Sequence, residues 1–253
     1  MFRHQGKSRT LKHNLQIATI LSLVAGMVNV AGFLAFRQLT TNVTGHFAFF
    51  IGDVADFEIV KSTIFFFYII SFFVGSFLTS FLIENYRESK KLNVFVLPTL
   101  IEVSVLIAVG VASNFMVFRY PNLIVCALLF AMGVQNSFVT KISSAVVRTT
   151  HLTGLFTDLG IDVSHLFFRR LHFKREKIKA NIKLRLYIIS FFFMGGILGR
   201  FLYATVNWKL NTLLVASAIL LVSLFFDDFR YKIIKAKRRF SHRNQIVGKR
   251  STA

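Results

Sequence analysis

The chain has 253 residues, 54% of them hydrophobic, and carries 31 lysines and arginines against 11 acidic residues. Its apolar residues come in long blocks rather than at the period-2 or period-3.6 positions of a soluble domain, which excludes a water-soluble globular protein. The single cysteine, Cys126, lies within one of these blocks, so a disulfide framework is excluded too.

Six apolar blocks are long enough, or nearly so, to cross hydrocarbon as a helix, which takes about 20 residues. Backbone polar groups in lipid must be satisfied within their own segment, so each block is expected to be helical. The sequence therefore predicts an all-α integral membrane protein with a membrane domain over residues 14–228. The predicted spans are residues 14–36, 62–83, 94–113, 121–140, 186–204 and 210–226.

The first span follows a basic tail, residues 1–13, and contains Asn29 near its end. A polar phrase, TTNVTGHFAFFIGDV, comes directly after it, with Thr41, Thr44 and Gly45 in a T-x-x-T-G pattern. Threonine and glycine before an apolar run predict a helix start with Thr44 as its cap. The short helix expected here, residues 44–55, covers only half the hydrocarbon thickness and ends near Asp53.

The third span holds Glu102 at its middle, with no matching acid in the sixth span. An ionisable residue at membrane depth is costly unless it is paired or wetted. Glu102 is therefore a candidate ion or proton site. The alternatives are a neutral hydrogen-bonded acid or a partner for Lys141 or Arg200.

The fourth span repeats the polar pattern of the first. It carries Gln135 and Asn136, and the phrase THLTGLFTDLGIDV follows. That phrase has the same T-x-x-T-G pattern, and a short segment, residues 153–168, comes after it. The matching residues of this second copy are Thr150, Thr153, Gly154 and Asp162.

Further landmarks recur in the same order. YIISFF begins at Tyr68 and again at Tyr187, and KLN opens both the third and the sixth spans. These recurrences predict a duplication, with repeat 1 over about 14–114 and repeat 2 over about 121–228. The glycines that follow the two YIISFF stretches are expected to be close-packing surfaces between helices. They are Gly75, Gly195, Gly196 and Gly199.

Three spans per half is an odd number, so the second half enters the membrane from the opposite face. The predicted architecture is thus a 3+3 inverted repeat of six transmembrane helices, each half with a short re-entrant or half-helix after its first span. An eight-crossing arrangement with parallel halves is the alternative, in which both short segments span. It places the basic 84–93 loop outside, against the usual charge bias.

The charge follows the six-span topology. All but five of the lysines and arginines fall on one side, which places both termini in the cytoplasm. The basic tail, residues 229–253, is expected to lie against anionic lipid head groups rather than nucleic acid. The five exceptions are Arg37, Lys61, Arg119, Arg200 and Lys209.

Two helix starts that meet inside the membrane form an anion-binding arrangement, because helix N-termini carry free N–H groups and partial positive charge. The predicted binding residues are the polar groups of both copies, with Asp53, Asp162 and Glu102 as candidates for ion or proton coupling. Close helix packing and interhelical hydrogen bonding are the alternative roles. The binding set is Asn29, Thr41, Thr44, Gly45, Gln135, Asn136, Thr150, Thr153 and Gly154.

The stretch GVQNSFVTKISSAVVRTTHLTGLFTDLG, together with a first-half G-x-V-N and T-G, resembles the YoaK family of bacterial membrane proteins. The resemblance covers residue 14 to about 228. It implies a six-helix inner-membrane protein and supplies no substrate. Relatives usually have an acid where this chain has Asn29 and an asparagine where it has His46.

No nucleophile–base pair, metal-ligand spacing or phosphate loop is found, so no enzyme activity, metal or cofactor is expected. The leading hypothesis is a secondary transporter or channel for a small solute, with anions among the candidate solutes and the site at the repeat interface. The alternative is a membrane scaffold or accessory subunit that docks partners through the basic loop and tail. A homodimer or larger membrane complex is compatible with both.

Overall fold

The computed structural model describes residues 10–86, 95–116, 119–143, 145–168 and 174–225, and within them every regular element is a helix. The predicted basic tails therefore lie outside the described residues, except for residues 10–13, where α1 begins. The helices are α1 (Leu11–Phe36), α2 (Thr44–Ala55), α3 (Ile59–Tyr86), α4 (Val96–Met116), α5 (Pro121–Ser143), α6 (Leu152–His165), α7 (Arg175–Arg200) and α8 (Lys209–Phe225). One π-helical turn, Phe201–Thr205, extends α7, and α8 begins with a 3-10 turn.

Four of these helices are long and apolar enough to cross a membrane: α1, α3, α5 and α7 with its π turn. Two shorter apolar helices, Val96–Ala112 within α4 and Lys209–Phe225, accompany them. The expectation of an all-helical protein with several membrane-compatible helices is confirmed.

The chain reverses after α1 and returns along that helix. Arg37 adopts a left-handed conformation (φ 57°), and its N–H donates to the Phe33 carbonyl at 2.9 Å, which ends α1. The Thr40 hydroxyl then donates to the Val28 carbonyl at 3.1 Å. Since an α-helix rises 1.5 Å per residue, this bond brings the chain back about 12 Å from the end of α1 before α2 begins.

α2 and α6 are too short to cross a bilayer on their own. They have 12 and 14 residues, which is about 18 and 21 Å of helix against roughly 30 Å of hydrocarbon. Each forms a hairpin-like pair with the long helix that follows it: α2 packs on α3, and α6 packs on α7.

The long helices pair in parallel, α1 with α7 and α3 with α5. In the second pair the Tyr68 hydroxyl donates to Asn122 Oδ1 at 2.7 Å near the helix starts. Lys141 pairs with Glu84 at 2.6 Å near the helix ends. The two bonds at opposite ends show that α3 and α5 run in the same direction.

Glycines allow both pairs to approach closely, as predicted for Gly75 and Gly195. A Cβ added at Gly75 would lie 2.2 Å from the Phe130 carbonyl oxygen, and one at Gly195 would lie 2.0 Å from that of Leu23. Gly26 and Gly133 face the partner helices in the same way. Because no side chain fits in these gaps, the helix backbones are in direct contact.

Candidate functional site

A cavity of about 260 Å³ lies where the starts of α2 and α6 meet. Residues from both T-x-x-T-G motifs line it, and rings from α3 and α7 contribute to its wall. Both rings sit near the middle of their helices, so the cavity lies about halfway along the long helices. Its lining is Asn29, Thr41, Asn42, Val43, Thr44, Phe72, Thr150, His151, Leu152, Thr153, Gly154 and Phe192.

Two matching hydrogen bonds fasten the motifs to the long helices beside the cavity. The Thr41 hydroxyl donates to Asn29 Oδ1 at 2.9 Å, and the Thr150 hydroxyl donates to Asn136 Oδ1 at 2.8 Å. In both cases the asparagine comes from the helix that precedes the motif. The two bonds hold the short helices with their N-termini towards the cavity.

The prediction that Thr44 caps its helix is wrong, and the equivalent Thr153 is not a cap either. Val43 occupies the N-cap position of α2 and His151 that of α6, and neither makes a side-chain capping bond. Thr44 and Thr153 instead lie within the first turns, where their backbone N–H groups have no intrahelical acceptor. No acidic residue lies in either first turn. The cavity therefore faces two uncapped helix starts, and its lining includes no carboxylate.

Three predicted binding residues lie outside the cavity lining. Gln135 is fully buried, and its amide Nε2 donates to the Leu21 carbonyl at 3.0 Å and to Thr149 at 3.1 Å. It thereby ties α5 to α1, the interhelical role that was its alternative. Asn136 contacts Thr150, which lines the cavity, and its Nδ2 donates to the Met132 carbonyl at 2.8 Å. A Cβ on Gly45 would meet Leu39 at 3.6 Å.

Sequence reasoning missed six lining residues, two of which are the apolar Val43 and Leu152 of the motifs. Phe72 and Phe192 come from the two YIISFF stretches, and their recurrence was a usable signal. Asn42 and His151 occupy the same variable position of the two T-x-x-T-G motifs, which a search for identical residues passes over.

His46 lies outside the cavity lining, in a buried polar and aromatic contact at the start of α2. Its Nε2 is 2.6 Å from the Leu39 carbonyl oxygen, and its ring packs edge-on against Tyr68 with centroids 5.1 Å apart. His46 thus joins α2 to α3.

Asp53 and Asp162 lie near the far ends of α2 and α6, where the sequence placed them, but their surroundings differ. Asp162 is 8% exposed and forms an ion pair with Arg185 of α7, which also contacts Asp158 at 3.3 Å. The Oδ2 of Asp53 is buried, and within the part of the chain that the structure describes it has no hydrogen-bond partner. Asp162 thus has a cationic partner among the described residues, and Asp53 has none.

Glu102 is fully buried on α4, and neither of its carboxyl oxygens has a hydrogen-bond partner among the described residues. Lys141, one of its suggested partners, pairs with Glu84 instead. Glu102 is not among the residues that line the cavity. Any coupling between Glu102 and a solute in the cavity would therefore act through the helices that separate them.

The chain belongs to the protein family described as "Protein of unknown function (DUF1275)", whose family model matches residues 17–226. The matched range leaves out both predicted tails, residues 1–13 and 229–253. No curated protein and no solved structure matches the chain. The expected membership of a family without an assigned function is confirmed, whereas the narrower YoaK resemblance rests on the sequence motifs alone.

Proposed function

We propose that this DUF1275 protein is a six-span transporter or channel of the bacterial inner membrane, which binds a small anionic or strongly dipolar solute in the cavity between α2 and α6. The observation that carries the proposal is the polar cavity lined by both helix starts. Solute sites of inverted-repeat transporters form in this way, from half-helices that meet near the middle of the membrane.

Equivalent contacts in the two halves support the inverted repeat. Gly26 of α1 faces the Phe192 carbonyl of α7, and Gly133 of α5 faces the Phe72 carbonyl of α3. The first helix of each half therefore packs against the long helix that follows the motif in the other half. An exchange of this kind is what a pseudo-two-fold axis between the halves produces.

Helix direction and charge support the six-span topology with cytoplasmic termini. Parallel α3 and α5 are compatible with spans two and four of six, which both run inward. The short lengths of α2 and α6 favour half-helices over two further crossings. Nearly all lysines and arginines then face the cytoplasm.

The chemistry of the lining supports a negatively charged or strongly dipolar solute. Each uncapped helix start presents N–H donors and about half a positive charge. The hydroxyls of Thr44 and Thr153 add donors, and Asn29 adds an amide. With no carboxylate in the lining, an anion meets no like charge there.

Asp53 and Glu102 are the residues we assign to ion or proton coupling. Both are acids with at least one buried oxygen that lacks a hydrogen-bond partner. Such an oxygen is costly unless a proton or cation occupies it during part of the cycle. Asp162 is the weaker candidate because Arg185 already neutralises it.

The test is solute binding to variants of α6. A Cβ at Gly154 meets no heavy atom within 4 Å and would extend into the cavity, so Gly154→Leu is expected to block binding. Gly160→Leu is the matched control, because Gly160 is on the same helix, has equally open surroundings and lies outside the lining. In a second pair, Thr153→Val removes a hydroxyl that lines the cavity. Its control, Thr157→Val, removes a hydroxyl that is bonded to the helix backbone.

Thermal unfolding of the purified protein, with inorganic phosphate, chloride, acetate and small dicarboxylates as probes, gives the readout. A probe at about 100 times its dissociation constant stabilises the folded protein by about 2.7 kcal/mol. We expect at least one probe to stabilise the wild type and both controls but not Gly154→Leu. If no probe stabilises the wild type, or if Gly154→Leu responds as the wild type does, the proposal is rejected.

A further inference from the structure

A second cavity, of about 420 Å³, opens beside the polar one between α1, α6 and α7. Its walls are apolar and include Val30, Phe156 and Ile197. Phe156 and Ile197 are more than half exposed, so this cavity is a groove on the outer surface of the helices. In a membrane protein such a surface faces lipid.

One charged residue, Arg200, lies at the edge of the groove. It is exposed and has no ion pair within the part of the chain that the structure describes. Arg200 is one turn before the end of the helical run at Thr205, a position from which an arginine side chain reaches the head-group region. A guanidinium there matches the geometry of a phosphate, which it binds through two parallel N–H donors.

The corresponding surface of α3 has no cation at this position. When the two YIISFF stretches are aligned through Gly75 and Gly195, Phe77 stands where α7 has Ile197, and Ser80 stands where it has Arg200. The cation beside Ile197 therefore has no equivalent at the matching position of the first half. The general packing of the two halves does not require it.

We propose that this groove is a lipid-binding site, which holds one alkyl chain of an anionic phospholipid whose phosphate pairs with Arg200. The apolar walls fit a hydrocarbon chain, and the unpaired cation at the edge fits the head group. Leu152 and Phe192 line both cavities, so the bound chain would lie against the wall of the polar site. The proposal does not depend on the transport function.

The experiment is native mass spectrometry of the full-length protein in detergent. The protein is titrated with phosphatidylglycerol or with phosphatidylcholine of the same acyl chains. We expect the wild type to retain one phosphatidylglycerol at least about five-fold more tightly than phosphatidylcholine, since one cation near a membrane surface contributes about that factor. Arg200→Gln removes this preference, whereas Arg119→Gln, a control at another exposed arginine, keeps it.

Ile197→Phe tests the alkyl part of the site. This change introduces the residue of the other half, fills the groove and is expected to weaken retention of both lipids. Phe77→Ile on α3 is the matched control and leaves retention unchanged. Ile197 is 55% exposed, so the variant is expected to fold, which a melting curve checks.

Three results would overturn the proposal. Equal retention of the two lipids by the wild type would exclude a role for Arg200 in head-group recognition. Unchanged retention in Ile197→Phe would exclude the groove. Displacement of the bound lipid by glycerol phosphate as effectively as by phosphatidylglycerol would show that the head group alone is recognised.

Discussion

α2 packs along the first half of α3 through aromatic rings, whereas α6 is tied to α7 by charge. Phe49 stacks on Phe65 with centroids 5.2 Å apart, and Phe50 packs on Phe66 at 5.9 Å. In the second half, Arg185 stands at the position of Phe66 when Tyr68 and Tyr187 are aligned, and it pairs with Asp158 and Asp162. Yet the Asn–Thr bonds at the cavity ends of the two short helices are nearly identical in length.

The difference shows which part of each half is constrained. The end of each short helix at the cavity has the same polar contact in both halves. The opposite end is held by aromatic contacts in α2 and by ion pairs in α6. In the proposed topology the far end of α6 faces the cytoplasm and that of α2 faces outward. Aromatic contacts are insensitive to salt and charge, and an ion pair is not.

The largest loss of folding stability is expected from Arg185→Leu, because this change leaves Asp162 buried without its cation. Removing one partner of a buried ion pair costs about 3 kcal/mol. Phe66→Leu, the same position in the other half, should cost under about 1 kcal/mol, because Phe66 is nearly half exposed. The measurement is the unfolding free energy in mixed micelles, and equal losses would remove the distinction between the halves.

The two aspartates provide the next comparison. Asp162→Asn weakens the pair with Arg185 and should cost about 2 kcal/mol, within the range for hydrogen bonds to charged groups. Asp53→Asn should change stability by less than about 0.5 kcal/mol, because no ion pair is lost. If Asp53 serves coupling, uptake into vesicles falls in that variant although its melting curve is unchanged. A larger stability loss for Asp53→Asn than for Asp162→Asn would contradict the assignment.

Thr41→Val and Thr150→Val test the part that the halves share. Each removes a hydroxyl that donates to an asparagine beside the cavity, so each should cost about 1 kcal/mol in stability. The two losses should agree within about 0.5 kcal/mol. Thr63→Val is a control, because its hydroxyl bonds only to the helix backbone. A loss confined to one half would show that only that helix start is held in this way.

The smallest expected change in stability is the one caused by added salt. Raising the ionic strength from 0.1 to 1 M shortens the Debye length from about 10 to about 3 Å. The half-exposed Asp158–Arg185 contact should then weaken by about 0.5 kcal/mol. Melting curves should show this loss in the wild type and not in Arg185→Leu. The same loss in both would trace the salt effect to other charges.

The helices and their glycine contacts could be predicted because they depend on local apolar length and on residues that recur along the chain. The meeting of Thr44 and Thr153 at one cavity followed from that recurrence together with the membrane constraint. The caps could not be predicted, because Thr40, Thr41 and Thr150 are held by bonds to helices that lie earlier in the chain. The partner of Asp162 was missed for a similar reason. A search for local spacing does not reach Arg185, because this residue comes from the next long helix.

The exchange of helices between the halves has a consequence for how the protein is made. The backbone of α1 at Leu23 rests against Gly195, which the ribosome produces near the end of the chain. Contacts between residues so far apart in sequence form late and slow the folding of a chain. The contacts between α1 and α7 therefore cannot form until the second half of the chain has been made. During synthesis the surface of α1 that packs on Gly195 stays uncovered, which makes the first half alone an incomplete intermediate.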